Sequence, residues 1–402
     1  MSSKSIVYWA SPYEMMGLPD SKSNMITNNL VKTRFILDKV LDNINPEDKV
    51  GIKIHPGNAY NTHYLRHDYV REVVKAVKAK GGIPTLIETQ GLGMYSYQIN
   101  MSENYTICLD CRTNADDHEK IAHLHGYSES IVGAPLKFLD GDKGIESRNV
   151  KIDGIHLKEV AVAAGLFEYD KIIVVSHFKG HPQAAFGGAL KQLGVGCVAK
   201  KNKFVLHYLD DLSINNRNCN ISKCAQECIS ECPVNAIKIE GESAVIDISL
   251  CVGCTACFKK CPIKRAIKRK FNMTDIKGLT EKAMDNAAAV VNSYGPDKIR
   301  YINFAFDIPL MCDCVVNASA PVVPDLGIFG SSDPIAIDKA CLDAETNAPS
   351  LPFLDMKGQW TQPIKPGIEK FKALNPMVDT TWQINAAVKN KLGSIDYELV
   401  KI

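Results

Sequence analysis

A chain of 402 residues, 46% of them hydrophobic, has the apolar material for a sizeable core and, on length, roughly two to three domains. Its 47 basic and 45 acidic residues leave a formal charge of +2, which gives no global electrostatic reason to bind nucleic acid or a membrane surface. The N-terminus lacks an apolar run long enough for a secretory signal and no later stretch approaches a membrane span, so the expected setting is the cytoplasm.

Ser5-Ile-Val-Tyr-Trp9 is a β-rich run suited to opening a sheet. From Asn29 to Leu41 the apolar residues Leu30, Val31, Phe35, Ile36, Leu37 and Val40 keep a helical spacing that ends before Pro46. Lys49 to Ile54 reads as a strand leading into His55-Pro-Gly-Asn58, and polar or small residues directly after a buried strand suit a site at its carboxyl end. Val70, Val73, Val74 and Val77 recur at i, i+3, i+4 and i+7, Gly81-Gly82 stop that helix, and Ile83 to Glu88 forms the next strand. This alternation predicts an α/β fold, a parallel or mixed sheet with flanking helices. Gly91 to Asp140 has few periodic runs and reads as long loops with short elements.

Lys158 to Phe167 is expected to be helical, and Lys171 to Ser176 a fully buried strand that delivers His177-Phe-Lys179-Gly-His181. Glycines then flank a short helical piece around Lys191, where they let backbone approach a ligand closely. Beyond residue 270 the α/β pattern resumes: a helix from Leu279 to Tyr294, a strand from Arg300 to Ala305, and polar strand-end segments at Met311-Cys-Asp-Cys314 and Pro324-Asp325. Asp333-Pro334 starts a helix through Leu342, with Asp as N-cap and Pro at the first helical position. The Pro-interrupted tail from Asn347 to Ile402 is expected to be peripheral.

The stretch with the most specific chemistry carries eight cysteines. Cys251, Cys254, Cys257 and Cys261-Pro262 follow C-x2-C-x2-C-x3-C-P, the bacterial ferredoxin run whose fourth cysteine ligates the other cluster. Cys219, Cys224, Cys228 and Cys232-Pro233 read C-x4-C-x3-C-x3-C-P, and each half ends in an Ala-Ile pair, at Ala236-Ile237 and Ala266-Ile267. Thiolates are soft donors suited to iron and sulfide, and a long chain with clustered C-x2-C spacing points to metal rather than disulfides. Structural zinc is the competing assignment, against which the paired C-x3-C-P endings and the internal repeat argue. If ligation crosses between the halves, Cys219, Cys224, Cys228 and Cys261 hold one [4Fe-4S] cluster and Cys232, Cys251, Cys254 and Cys257 the other. The expected organisation is a first body part over residues 1–210, a two-cluster ferredoxin module inserted at 211–270, and a second body part with the tail over 271–402.

Together with Gly51-Ile-Lys-Ile-His55, Ser176-His-Phe-Lys-Gly-His181, Phe186-Gly-Gly-Ala-Leu-Lys191, Cys312-Asp-Cys314, Pro324-Asp-Leu-Gly327 and Ser332-Asp-Pro334, these cysteines make the chain closely resemble the ferredoxin-fused iron-sulfur proteins of the domain-of-unknown-function 362 family. The resemblance covers most of the chain and implies an α/β body interrupted by a two-cluster ferredoxin module, without naming a substrate. Relatives usually keep C-x2-C-x2-C-x3-C-P in both halves, so the widened first half here marks the Cys219 cluster as the atypical one.

His177, Lys179, His181 and Lys191 follow a buried strand, where open α/β sheets place their ligands. Histidine transfers protons near neutrality and lysine pairs with carboxylate, phosphate or enolate, which makes these four the candidate catalytic residues. The plainer alternative is solvated lysines and histidines that satisfy loop backbone. A metal held by His177 and His181 is a weaker reading. His55, Asn58, Arg112, Asn114 and Asp325 are candidate substrate-binding residues at neighbouring strand ends, and Cys108, Cys111, Cys312 and Cys314 offer a further metal site.

The leading expectation is an iron-sulfur oxidoreductase acting on a small anionic substrate or an unseen cofactor; no G-x-G-x-x-G follows an early strand, so NAD and FAD are not expected. The alternatives are a non-catalytic electron carrier or redox sensor, and a non-redox metalloenzyme with structural clusters. The basic run Lys259, Lys260, Lys264, Arg265, Lys268, Arg269, Lys270 would steer in an acidic ferredoxin or flavodoxin as donor.

Overall fold

The computed structural model describes residues 4–14, 28–103, 105–208, 210–272, 274–316, 320–353 and 359–402. Eight strands make its main sheet: β1 Ser5–Ala10, β2 Lys49–Lys53, β3 Ile83–Glu88, β4 Leu136–Phe138, β5 Lys171–His177, β6 Ile299–Ala305, β7 Gly327–Ser331 and β8 Tyr397–Lys401. The spatial order is β8-β1-β7-β6-β5-β2-β3-β4. Strands β6, β5, β2, β3 and β4 run parallel, β7 is antiparallel to both β6 and β1, and β8 is parallel to β1. The sheet is therefore mixed and mostly parallel.

Eight helices matter below: α1 Asn29–Val40, α2 His67–Ala79, α3 Ala115–Leu124, α4 Ala189–Gly194, α5 Lys200–His207, α6 Ile276–Tyr294, α7 Pro334–Asn347 and α8 Thr380–Lys389. The period of two along a strand divides the core. On β5, Ile173 and Val175 face one side with Ile36, Val40, Val70, Val73 and Val77 of α1 and α2. Ile172 and Val174 face the other with Leu190, Met284, Ile337 and Ile384 of α4, α6, α7 and α8. A strand buried on both faces explains the unbroken apolar run from Ile172 to Val175.

Two expectations need correction. Lys158 to Phe167 is not a helix: Glu159–Ala163 is a strand paired antiparallel with Ser147–Lys151, followed by a short 3-10 turn over Ala164–Glu168. Val160 and Val162 alternate, their β-branched side chains are stiff in a helix, and cross-strand pairing decides the matter. Nor is the tail peripheral, because β8 pairs along β1 while Phe371, Ile384 and Ala387 are buried in the main core. The 91–140 region holds a hairpin of Tyr97–Ser102 with Tyr105–Asp110, then α3, then β4 at the sheet edge.

The cysteine-bearing stretch packs around a small core of its own, in which Phe204 of α5 and Tyr208 just past its end meet Leu212, Ile237, Ala244, Cys257 and Ile267. Ser213–Ile214 pairs antiparallel with Ile267–Lys268, which brings the two ends of the stretch together. Both Ala-Ile pairs of the repeat are buried.

Truncating Phe371 to alanine is expected to cost about 3–5 kcal/mol in urea unfolding, as for a core aromatic. A change below about 1 kcal/mol would return the tail to the periphery.

Candidate functional site

Because β2, β3 and β5 run parallel, their carboxyl ends deliver His55, Glu88 and the segment after His177 to one side of the sheet. There a cavity of about 370 Å³ is walled by Arg112, Lys179, His181, Lys191, Lys203 and Cys314. Sequence reasoning points to Arg112, Lys179, His181, Lys191 and His55 for this place, and the structure brings them together around it.

Buried charge needs partners, and the cavity wall supplies them. Lys179 pairs with Asp313 at 3.0 Å, and His177 Nδ1 lies 2.9 Å from the same carboxylate. Burial would push the Asp313 carboxyl up, but His177 and Lys179 outweigh it and hold it at about 2. Lys53 meets Glu88 at 2.8 Å and His55 Nδ1 lies 3.1 Å from its other oxygen, so Glu88 stays well below the usual carboxylate range despite burial. Arg112 reaches His55 Nε2 at 3.3 Å and donates to the Cys314 carbonyl at 3.1 Å. With Nδ1 facing Glu88 and Nε2 facing Arg112, His55 is a neutral spacer that fixes the guanidinium. Burial and then Arg112 lower its pKa accordingly.

Lys191 is different. Its helix α4 is held at the start by Asp338, which accepts from Ala189 N and Leu190 N at 2.8 and 2.9 Å. Among the described residues no carboxylate lies within ion-pair distance of Lys191; its Nζ stands 3.8 Å from Cys312 Sγ. His181 Nδ1 accepts from Gln183 N at 3.1 Å and Ala184 N at 2.8 Å, which leaves the ring proton on Nε2, 3.7 Å from Cys314 Sγ. Burial first and Lys191 second push His181 down to about 4, so it is neutral at physiological pH.

Other expected site residues sit elsewhere. His177 is turned away from the cavity, with Nε2 donating to the Phe306 carbonyl at 2.7 Å, and serves to fix Asp313. Asn58 is buried beneath the Cys312–Cys314 turn, with Nδ2 donating to the Cys314 carbonyl at 3.2 Å. Asn114 caps α3 by accepting from Asp117 N. Asp325 accepts from Asp307 N at 2.8 Å and is not part of the cavity wall. Cys111 is disulfide-bonded, which removes its thiolate from the expected four-cysteine metal site, and the Cys108 side chain lies outside the described residues.

His181, Cys312 and Cys314 place a nitrogen and two sulfurs within 4.8 Å of one another. With the proton on Nε2, the nitrogen facing the sulfurs, neutral His181 donates there and does not ligate. Three further wall residues escaped the sequence reading. Glu88 follows the same strand-end rule that picks out His55. Lys203 and His207 lie four apart on α5, one face of a helix that leads into the cysteine stretch.

The eight cysteines fall into two sets. Cys219, Cys224, Cys228 and Cys261 wall a small cavity of their own. Cys254 lies within electrostatic reach of Cys251 and Cys232, and Cys257 of Cys254, Cys251 and, from the other set, Cys228. This grouping puts Cys261 with the first three cysteines and Cys232 with Cys251 and Cys254. Burial and mutual repulsion push Cys228 up to about 11 and Cys257 to about 12, and crowding of thiolates becomes favourable only around cations. Backbone N–H groups of Ala236 and Ala244 already face Cys232 Sγ and Cys219 Sγ at 3.2 and 3.4 Å, hydrogen bonds of the kind that tune iron-sulfur sites. The donor set thus fits iron-sulfur clusters.

These features define an α/β protein with a cysteine-rich, ferredoxin-like element beside a cationic cavity. Residues 50–343 match the model described as "Domain of unknown function (DUF362)", and the chain belongs to that family. A 62-residue stretch, 15% of the chain, is 36% identical to a ferredoxin of Alicyclobacillus acidocaldarius subsp. acidocaldarius and covers 80% of it. The relative and the cysteines mark an iron-sulfur protein. Two solved structures are similar at 11% identity: the lactate racemase apoprotein of Thermoanaerobacterium thermosaccharolyticum, with TM-score 0.34 over 86% of this chain, and a Thermotoga maritima protein, with 0.37 over 78%. The chain spans 58% of the length of each. Among the described residues no helix is long and apolar enough to cross a membrane.

Burial, then His181 and Lys191, push His207 down to about 4. Its contribution is complete above the ordinary histidine value of about 6.5 and is lost as pH falls toward about 4. Between about pH 7 and pH 4.5 the parent is expected to lose on the order of 1–2 kcal/mol more than His207→Gln in urea unfolding, the opposing titrations of buried carboxyls cancelling in the difference. Equal losses would show His207 solvated.

Proposed function

We propose that this protein is a cytoplasmic iron-sulfur oxidoreductase acting on a small anionic molecule held in the cavity. The observation that carries the proposal is the position of α5. One side of this helix, at Lys203, Leu206 and His207, walls the cavity, while Phe204 and Tyr208 pack in the small core with Cys257. Gly253, in the loop between Cys251 and Cys254, has φ +64°, and a Cβ there would meet Phe204 Cβ at 2.5 Å. The cysteine loop is thus seated against the back of the cavity wall.

Cys219, Cys224, Cys228 and Cys261 would hold one [4Fe-4S] cluster, and Cys232, Cys251, Cys254 and Cys257 the other. Bound there, such clusters supply single electrons. The widened spacing between Cys219 and Cys228 makes the first the atypical site.

In the cavity, Lys191 and Arg112 hold the negative charge of the substrate, Lys179 is kept charged by Asp313, and His181 carries a proton on Nε2. Low dielectric strengthens each of these contacts. Outside, Arg265, Lys268, Arg269 and Lys270 line an exposed shallow basin with Asp210 and Asp211 at its edge, a surface suited to an acidic ferredoxin or flavodoxin.

The test is a binding screen of small carboxylates and phosphates on anaerobically prepared protein. Lys191→Gln is expected to weaken the best anion about 10–100-fold while iron and sulfide contents stay unchanged, the size of a lost charge-assisted contact. Anion binding indifferent to Lys191 would instead favour an electron carrier. For the donor, reversing Lys268 and Lys270 to glutamate is expected to slow reduction by an acidic ferredoxin and to flatten its dependence on ionic strength. A rate unmoved by salt or by charge reversal would sink that partner.

A further inference from the structure

The proposed function gives Cys312 and Cys314 no role, yet they stand at the cavity wall beside Lys191 and Arg112. Cys314 faces the cavity, whereas Cys312 is 0% exposed behind it. Cys312 Sγ accepts from Cys314 N at 3.4 Å and lies 3.8 Å from Lys191 Nζ. The two sulfurs lie within 4.8 Å of one another, with His181 Nε2 beside them. Asn58 and Arg112 fix the turn from below through the Cys314 carbonyl. We propose that Cys312 and Cys314 are a redox-active dithiol that exchanges with a small anionic disulfide bound by Lys191 and Arg112.

This proposal rests on the reading that the cavity takes a small anion. The layout is that of an attacking and a resolving thiol: one sulfur meets the ligand and the other waits behind it. The groups facing the pair are Lys179, Lys191, His181, Arg112 and His55, together with the Asp313 carboxylate, which Lys179 pairs with at 3.0 Å. Burial disfavours a thiolate, but the Cys314 thiol, Lys191 and Lys179 outweigh it at Cys312, whose thiol is held well below the ordinary value while that of Cys314 is pushed up.

The exchange balances without an outside oxidant. In the reacting form the pair is one thiol and one thiolate with the proton on Cys312, and the Cys314 thiolate attacks one ligand sulfur. The ligand S–S bond breaks, and the released half takes the proton from Cys312. The Cys312 thiolate then attacks Cys314 Sγ and expels the second half as a thiolate held by Lys191. The protein dithiol has lost two electrons, the ligand disulfide has gained them, and one thiol and one thiolate leave.

The experiment uses the anaerobically purified full chain with its clusters and compares 3,3′-dithiodipropionate, an anionic disulfide, with neutral 2-hydroxyethyl disulfide. After quenching by alkylation, the tryptic peptide spanning residues 301–339 contains Cys312 and Cys314 and no other cysteine. The anionic probe is expected to convert this peptide to its internal disulfide about tenfold faster than the neutral one, and Lys191→Gln to abolish that preference. In Cys312→Ser, or Cys312→Ala where the serine variant fails to fold, Cys314 should stop as a mixed disulfide with one probe half. Two alkylated cysteines after exposure, a persistent mixed disulfide in the unchanged protein, or equal rates with both probes would overturn the proposal. The thiol state is read directly, so its failure leaves the iron-sulfur reading standing; iron and sulfide counts test that separately.

Discussion

A single buried carboxylate ties the cavity together. Asp313 is fully buried, and an unpaired charge there would be costly, so it holds His177 on one oxygen and Lys179 on the other. Those partners leave the end of β5, while Asp313 belongs to the turn that carries Cys312 and Cys314. The ion pairs therefore join the middle of the sheet to a segment more than a hundred residues later in the chain. They set where Lys179 stands in the cavity wall and hold the two cysteines against Lys191.

Much of this arrangement is legible in the sequence because it depends on short-range pattern. The valine spacing of α2, the apolar run of β5 and the Asp333-Pro334 start of α7 each state their own structure. Strand-end position picks out Lys179, His181 and Lys191 for the same reason: it follows from topology once the strand is recognised. What escapes is whatever rests on partners distant in sequence. Glu159–Ala163 becomes a strand only because Ser147–Lys151 lies beside it. His177 reads like His181 in the sequence, yet only pairing with Asp313 and the Phe306 carbonyl turns it inward. Phe371 looks like part of a loose tail until the core it fills is known.

The cavity also separates two uses of lysine. Lys53, Lys179 and Lys203 are buried beside Glu88, Asp313 and Asp140, and each pair is close to neutral as a unit. Among the described residues Lys191 has no such carboxylate, and its charge is turned toward sulfur and open space. On the proposed reading, selectivity for an anion resides in one uncompensated ammonium, assisted by Arg112, rather than in the number of basic side chains around the cavity.

The pairing of Ser213–Ile214 with Ile267–Lys268 bears on how such a chain arises. Antiparallel partners lie about 5 Å apart, so the cysteine-bearing loop leaves the body and returns at almost the same point. A linker of a few residues would close the gap without shifting any strand of the main sheet. Loss or gain of the loop is then a local event for the backbone, and its mark falls on Phe204 of α5 and on Tyr208 just past its end, which would stand bare. A chain of this kind without the loop should carry polar residues at those two positions.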